Sequence, residues 1–197
     1  ENAKDLFSIT TKGFRGEALA SIAAIAEVTL KTREKESELG TQIRISGSEI
    51  ISNEPVACQQ GSSISVKNLF FNVPARRRFL KTNNTELRHI INEFNHIALA
   101  HPGIEFALIH NNSQIFSLPK TNKRQRIIHI FGKNFNQNLI PVNAETTLID
   151  IEGFIGKPEF AKKSYGEQFF FVNDRYIRHP YFNKAVLQDY DKFFLRD

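Results

Sequence analysis

No methionine occurs anywhere in these 197 residues, and cysteine occurs once, at Cys58. A single thiol excludes a disulfide framework and a thiolate cluster for zinc, which suits a reducing compartment. Cys58 itself reads as an inert small side chain. The missing methionine, in a chain that starts at Glu1, is expected of a piece excised from a longer protein, with removal of a leader peptide as the alternative. The chain end just after a helical stretch over 180–195, whose stripe is Phe182, Val186, Tyr190 and Phe193, points to the same expectation. No apolar run approaches the ~20 residues needed to span a bilayer, and the start lacks the basic-then-apolar pattern of a secretory signal. A soluble, cytoplasmic protein with no membrane partner is expected.

Also absent are the G-x-x-x-x-G-K-[ST] phosphate loop, H-E-x-x-H, paired C-x-x-C and G-x-S-x-G, so ordinary nucleotide and hydrolase signatures fail. His89, His96 and His101 lie close in sequence, but the first two are seven apart on a helix and no cysteine joins them; they read as surface or capping residues rather than metal ligands. What is present is enough apolar residue, 41%, for one large domain or two small ones. The 26 basic residues against 21 acidic give a net charge of +5, which suggests an anionic partner. The charge is clustered: Arg76, Arg77, Arg78 and Lys81 in one place, Lys120, Lys123, Arg124 and Arg126 in another, Glu34, Glu36 and Glu38 in a third. A solvated face is the ordinary reading of any one such cluster.

Hydrophobic periodicity predicts a helix over 17–26, strands over 28–32, 42–46 and 50–53 in an antiparallel meander, a further strand over 63–67, and a short helix from Pro74 capped by Asn72. Asn83 and Glu86 form a capping-box spacing ahead of a helix that stops at His101-Pro102-Gly103. Strands over 104–109 and 114–118 flank the turn Asn111-Asn112, and a polar junction over 119–122 precedes a helix over 124–131. Strands near 139–142, 147–155 and 168–172 follow, with Asn173-Asp174 turning the last into 175–178 before the closing helix. This irregular alternation favours layered α+β architecture over a parallel doubly wound sheet, with a domain boundary at the polar junction, giving units 1–119 and 120–197.

Two blocks carry chemistry. Gly13-Phe14-Arg15-Gly16-Glu17-Ala18-Leu19 places two glycines three apart at the mouth of a helix, where unpartnered backbone N–H groups and small side chains suit an approaching phosphate. A bare G-x-x-G is as readily a turn or a cap. Gly61 to Leu80 contains L-F-F-N-V-P-A-R-R-R-F-L, in which Leu69, Phe70, Ala75 and Phe79 read as core residues.

Taken together, the blocks resemble the MutL family of DNA mismatch repair proteins. Gly13 to Leu19 is similar to the family's G-F-R-G-E-A-L at the end of the mobile lid over ATP. Gly61 to Leu80 is similar to G-T-x-V-x-V-x-x-L-F-x-N-x-P-A-R-x-x-F-L, with Ser62 at the usual threonine, and residues 168–175 resemble the strand ending in V-N-G-R, with Asp174 at the usual glycine. Aspartate tolerates the left-handed region, so the turn is expected to survive.

The resemblance implies the rear part of a Bergerat, or GHKL, ATPase domain followed by part of a transducer domain with a ribosomal-protein-like sandwich. It implies ATP contact at Gly13, Phe14, Arg15, Gly16, Glu17, Ala18 and Leu19, mainly through backbone N–H groups, and at Ser62 near the base. The family's water-polarising glutamate, Mg2+-binding asparagine and adenine-binding aspartate belong to motifs upstream of the lid. Glu1, Asp5 and Glu17 therefore do not inherit those roles, and no catalytic residue is assigned here. Glu17 fits a cap or a dipole partner, the transducer lysine is expected beyond Asp197, and this chain alone is expected not to hydrolyse ATP. DNA contacts without sequence specificity, to single or double strands, fall by position on Arg78, Lys81, Arg175 and Arg178. The parent is expected to be an ATP-gated dimeric clamp working with a mismatch-recognition protein and a downstream nuclease or helicase. Two other readings stay open: a non-enzymatic nucleic-acid-binding module, and another ATPase of the same class, which would leave Pro74 to Leu80 unexplained.

Overall fold

The computed structural model describes residues 16–147, 149–160 and 166–194. Gly13, Phe14 and Arg15 lie outside the described residues, as does the end of the closing helical stretch. The chain divides into two compact units, Glu1–Asn83 and Asn84–Asp197.

The first unit is a short helix and a four-stranded sheet. Helix α1 spans Ala18–Ala23 and leads into β1, Glu27–Arg33. Strands β2 (Gly40–Ser46), β3 (Glu49–Val56) and β4 (Gly61–Lys67) complete an antiparallel sheet of order β3-β2-β1-β4, so the meander β1-β2-β3 is closed on the free side of β1 by β4. The strand periodicity was legible in sequence because alternate positions of β1 are apolar. Val28 and Leu30 stand opposite Ile45 and Ile43 on one side and Val66 and Ile64 on the other. Such cross-strand pairs share a face and are the unit of sheet stability. Gly47 and Ser48 both take positive φ, 56° and 72°, the conformation a two-residue hairpin turn requires. Gly40 answers a different demand: a Cβ there would come within 2.5 Å of the Thr32 carbonyl and 2.6 Å of the Cys58 sulfur.

Helix α1 is shorter than the run over 17–26 suggests, because its C-terminal carbonyls are claimed from elsewhere. Ser48 N–H donates to Ala23 O at 3.0 Å, Phe70 N–H to Ile25 O at 2.7 Å, and the Asn72 side-chain amide to Ala24 O at 2.8 Å. Asn72 therefore does not cap the next helix. That helix, α2, is a single turn over Pro74–Arg77 with Val73 at its N-cap position and no side-chain cap.

In the second unit, helix α3 (Asn83–Ala100) is followed by the hairpin β5 (Phe106–His110) and β6 (Ser113–Leu118), then helix α4 (Lys123–Phe131). Asn111 and Asn112 make the turn at φ 48° and 63°. Phe94 of α3 stacks on Phe116 and meets Phe106 edge-on, while Ala98, Leu118 and Ile128 are buried. The Asn122 side chain caps α4 by accepting from Gln125 N–H at 2.9 Å, and Gly132 at φ 105° ends it. Two 3-10 turns that the periodicity does not show, Lys133–Gln137 and Pro158–Phe160, flank the hairpin β7 (Leu139–Glu145) and β8 (Asp150–Gly156). The last hairpin, β9 (Phe170–Val172) and β10 (Arg175–Ile177), turns at Asn173 and Asp174 with φ 49° and 60°, so aspartate does occupy the left-handed position. Helix α5 (Pro180–Phe194) closes the unit, tied to β9 by Phe182 on Phe170 and to β8 by the Tyr190 hydroxyl donating to Gly156 O. Every ladder among the described residues is antiparallel, and the fold is α+β as the sequence implied.

Arg126 holds the junctions of this unit. Its guanidinium is fully buried, and Nη2 donates to the carbonyls of Pro102, Ile104 and Pro119 at 2.9, 2.6 and 3.0 Å. Those oxygens belong to the α3-β5 connection and to the exit of β6. The cation also lies 5.4 Å from the Phe106 ring centroid, an attractive arrangement where water is excluded. Nε and Nη1 are buried without hydrogen-bond partners, and desolvation holds this side chain below its ordinary arginine pKa. Arg126→Met removes the donor of three carbonyls while sparing the volume. It is expected to lower stability by about 2–4 kcal/mol, read as a lower urea midpoint with unchanged slope.

Candidate functional site

The expected nucleotide residues sit at the start of α1 and on β4. Gly16 has φ +69°, and among the described residues no atom beyond its chain neighbours lies within 4 Å of where its Cβ would be. The position thus favours glycine for backbone freedom. Glu17 occupies the N-cap position, but its side chain makes no capping bond, which corrects the expectation of a cap. The reason is local: its backbone at φ −96°, ψ −11° is already helical, whereas a capping side chain reaches the first-turn amides from an extended backbone. Gly16, Glu17, Ala18 and Leu19 are all exposed. Helix geometry leaves the first-turn amides without internal acceptors, and the Glu17 side chain does not cap them.

Ser62 is the second residue of β4, an edge strand, and is exposed. It pairs in register with Thr32, and the two hydroxyls are 2.8 Å apart, either able to donate. Sequence reasoning missed Thr32, because a partner thirty residues away is revealed only by strand register. The pair ends the apolar stripe formed by Leu30, Val28, Ile64 and Val66. Ile64 and Val66 remain exposed.

The second block proves to be an attachment rather than a core. Asn72 and Phe70 bind the carbonyls at the end of α1, and Asn68 and Phe70 take positive φ, 52° and 64°, to reach them. Leu69, Ala75 and Phe79 are exposed, Phe79 by 77%, and Phe70 is half-buried, so three of the four expected core residues are on the surface. The cause is that α2 ends at Arg77, which leaves Phe79 beyond the helix. Phe70, Arg76, Phe79 and Leu80 line a shallow open depression there.

The expected DNA-contacting residues fall in two separate groups. Arg78 and Lys81 are exposed and follow α2 directly, next to the exposed Arg76 and Arg77. Arg175 opens β10 and is half-buried, and Arg178 is exposed just beyond that strand. The other basic cluster is largely engaged inside its own unit: Lys123 pairs with Glu152, Arg124 binds Asn136 and lies over the Phe154 ring, and Arg126 is buried. Among the described residues no group of three His, Cys, Asp or Glu side chains could hold a metal. His96, expected as an ordinary surface or capping residue, is instead stacked among aromatic rings.

Comparison with known proteins follows this geometry. The family model described as DNA mismatch repair protein, C-terminal domain, matches residues 127–197. Similar proteins named DNA mismatch repair protein MutL include those of Christiangramia forsetii, 58% identical over 96% of this chain, and Parabacteroides distasonis, 57% identical over 96%. The chain covers 31% of the length of each, about a third of the curated relatives it matches. Among solved structures, the Aquifex aeolicus MutL ATPase domain complexed with ADP superimposes with a TM-score of 0.74 at 25% identity, over 95% of this chain and 71% of that one. The N-terminal domain of a DNA repair protein gives a TM-score of 0.79 at 22% identity, over 98% and 64%, and shows the shared fold.

Asn72→Ala removes the side-chain donor to Ala24 O and leaves a helix-end carbonyl to find water. It is expected to destabilise the first unit by about 1 kcal/mol and to raise amide exchange through 68–80. Unchanged exchange there would show that the backbone bonds of Phe70 and Ser48 suffice.

Proposed function

Because this chain belongs to the MutL family of DNA mismatch repair proteins, we propose that it forms the lid end and the coupling part of an ATP-gated, dimeric DNA clamp that links mismatch recognition to strand removal. The observation that carries the reading is the likeness to MutL proteins, 58% and 57% identical over 96% of this chain; the start of α1, with a glycine at φ +69° and no capping bond from Glu17, agrees with it. On this reading residues 1–119 are the C-terminal part of the ATPase domain, and 120–197 are the N-terminal part of the transducer.

The residues present fit a triphosphate. Backbone amides of Gly16 to Leu19 would take phosphate oxygens, joined by Gly13, Phe14 and Arg15, and the Ser62–Thr32 hydroxyl pair beside an apolar stripe would suit the polar edge of a base. When bound, ATP with Mg2+ supplies a phosphoanhydride whose cleavage resets the clamp. The work of this chain is binding and orientation, which is most of what phosphoryl transfer asks of a protein. No residue here is assigned as general base or Mg2+ ligand, so the chain alone is proposed to be inactive in ATP hydrolysis.

Arg78, Lys81, Arg175 and Arg178 would contact DNA phosphates. Such contacts are independent of sequence and sensitive to salt, as a clamp that moves along single or double strands requires. A mismatch-recognition protein, a downstream nuclease or helicase, and a second copy of the protein complete the proposed cytoplasmic assembly.

Two substitutions in the natural full-length protein test this. Gly16→Val places a branched side chain at positive φ, a conformation it strains to adopt, and is expected to weaken binding of a fluorescent ATP analogue by about tenfold or more; normal affinity would refute the lid assignment. Arg78→Glu and Arg175→Glu are each expected to weaken binding of a random-sequence duplex and to lower the slope of log affinity against log salt by about 1. If DNA binding responds and ATP binding is absent from the start, the non-enzymatic nucleic-acid module becomes the better account.

A further inference from the structure

The hairpin β9-β10 has three residues in each strand, too few to hold its own direction in water, so whatever it packs on decides where its side chains point. It packs on α3. The His96 imidazole lies flat on the Tyr176 ring, with centroids 3.5 Å apart and planes 9° from parallel. Phe169 meets the same imidazole at 5.9 Å and continues to Phe131 of α4 at 5.4 Å, while Phe171 sits edge-on to Tyr176 at 5.9 Å. The His96 side chain is only 15% exposed, and Glu93 Oε2, one turn back, is 3.5 Å from its Nδ1. Side chains alternate along a strand, so the face of β10 opposite Tyr176 carries Arg175 and Ile177.

We infer that His96 is a positioning residue for DNA engagement: by stacking on Tyr176 it fixes the hairpin on α3 and so aims Arg175. This rests on the proposed contact of Arg175 with DNA phosphate. It assigns a helix outside the proposed set of DNA contacts a share in DNA affinity, through a ring whose flatness matters more than its nitrogens. Phenylalanine at this position should therefore substitute and alanine should not.

The test uses the natural full-length protein, a random-sequence duplex followed by fluorescence anisotropy, and amide exchange over 170–177 without DNA. His96→Ala is expected to weaken DNA binding about fivefold and to speed exchange in the hairpin, while His96→Phe stays within about twofold of the parent protein. Once Arg175→Gln is present, His96→Ala should cause no further loss, since the two act through one contact. Unchanged hairpin exchange in His96→Ala overturns the stack as the anchor. Losses from His96→Ala and Arg175→Gln that simply add overturn the positioning role even if the hairpin loosens. If Arg175→Gln alone leaves affinity unchanged, the phosphate-contact reading falls and takes the positioning role with it, whereas the exchange result still judges the anchor separately.

Discussion

Three carbonyls at the end of a six-residue helix organise the first unit. A helix leaves its last carbonyls without internal donors, and at and just past the end of α1 those of Ala23, Ala24 and Ile25 receive Ser48 N–H, the Asn72 amide and Phe70 N–H. One donor comes from the β2-β3 turn and two from the segment after β4, so the end of α1 is where the sheet's connections meet. A helix this short is not stable by propensity alone; it persists because its unsatisfied end is satisfied by the chain around it. The positive φ of Asn68 and Phe70 is the strain accepted to deliver those donors. This gives a physical reason for the asparagine inside L-F-F-N-V-P-A-R: it is the donor that joins the second sequence block to the first.

The second unit solves a similar problem with a charge. Arg126 supplies one cationic nitrogen to three carbonyls of chain connections, with no ion-pair partner among the described residues, and leans its charge on the face of Phe106. Burying a cation without a carboxylate is costly, and the lowered pKa reflects it. What the arrangement secures is the geometry of the loop after α3 and of the entry into α4. With Lys123 and Arg124 also engaged locally, the net charge of the chain overstates what is free to meet an anion. Charge counted in sequence includes cations that hold the fold.

Much of the fold was legible because it is local. The four sheet strands, the turn pairs Asn111-Asn112 and Asn173-Asp174, and the ends of α4 follow from alternation, from asparagine and aspartate at positive φ, and from Asn122 and Gly132 at helix termini. What failed depended on distant partners. Asn72 was read as a cap because Pro74 follows it, yet its amide is drawn to a carbonyl forty-eight residues back. Leu69 and Phe79 were read as core because they are apolar, but α2 makes only one turn and leaves Phe79 exposed. Thr32 beside Ser62 and His96 on Tyr176 were invisible for the same reason: each pair is made by packing or register between segments far apart in sequence. The glycine of the first block, by contrast, was found from its spacing and does hold a conformation that favours glycine.

These contacts bear on how a nucleotide signal could leave the site. Helix α1 is about 9 Å long, six residues rising along one axis. If its first turn takes the phosphates as proposed, its other end is already bonded to Phe70 and Asn72, just ahead of the turn that carries Arg76, Arg77 and Arg78. A shift of the helix toward a bound anion must either break the bonds at Ala24 and Ile25 or carry the 70–78 segment with it. Breaking them leaves carbonyls and an amide to be resolvated, whereas moving a surface segment with one turn of helix and few buried side chains disturbs little packing. The second course is the cheaper, so on the proposed reading the hydrogen bonds that stabilise α1 would also make the basic segment respond to what sits at its opposite end.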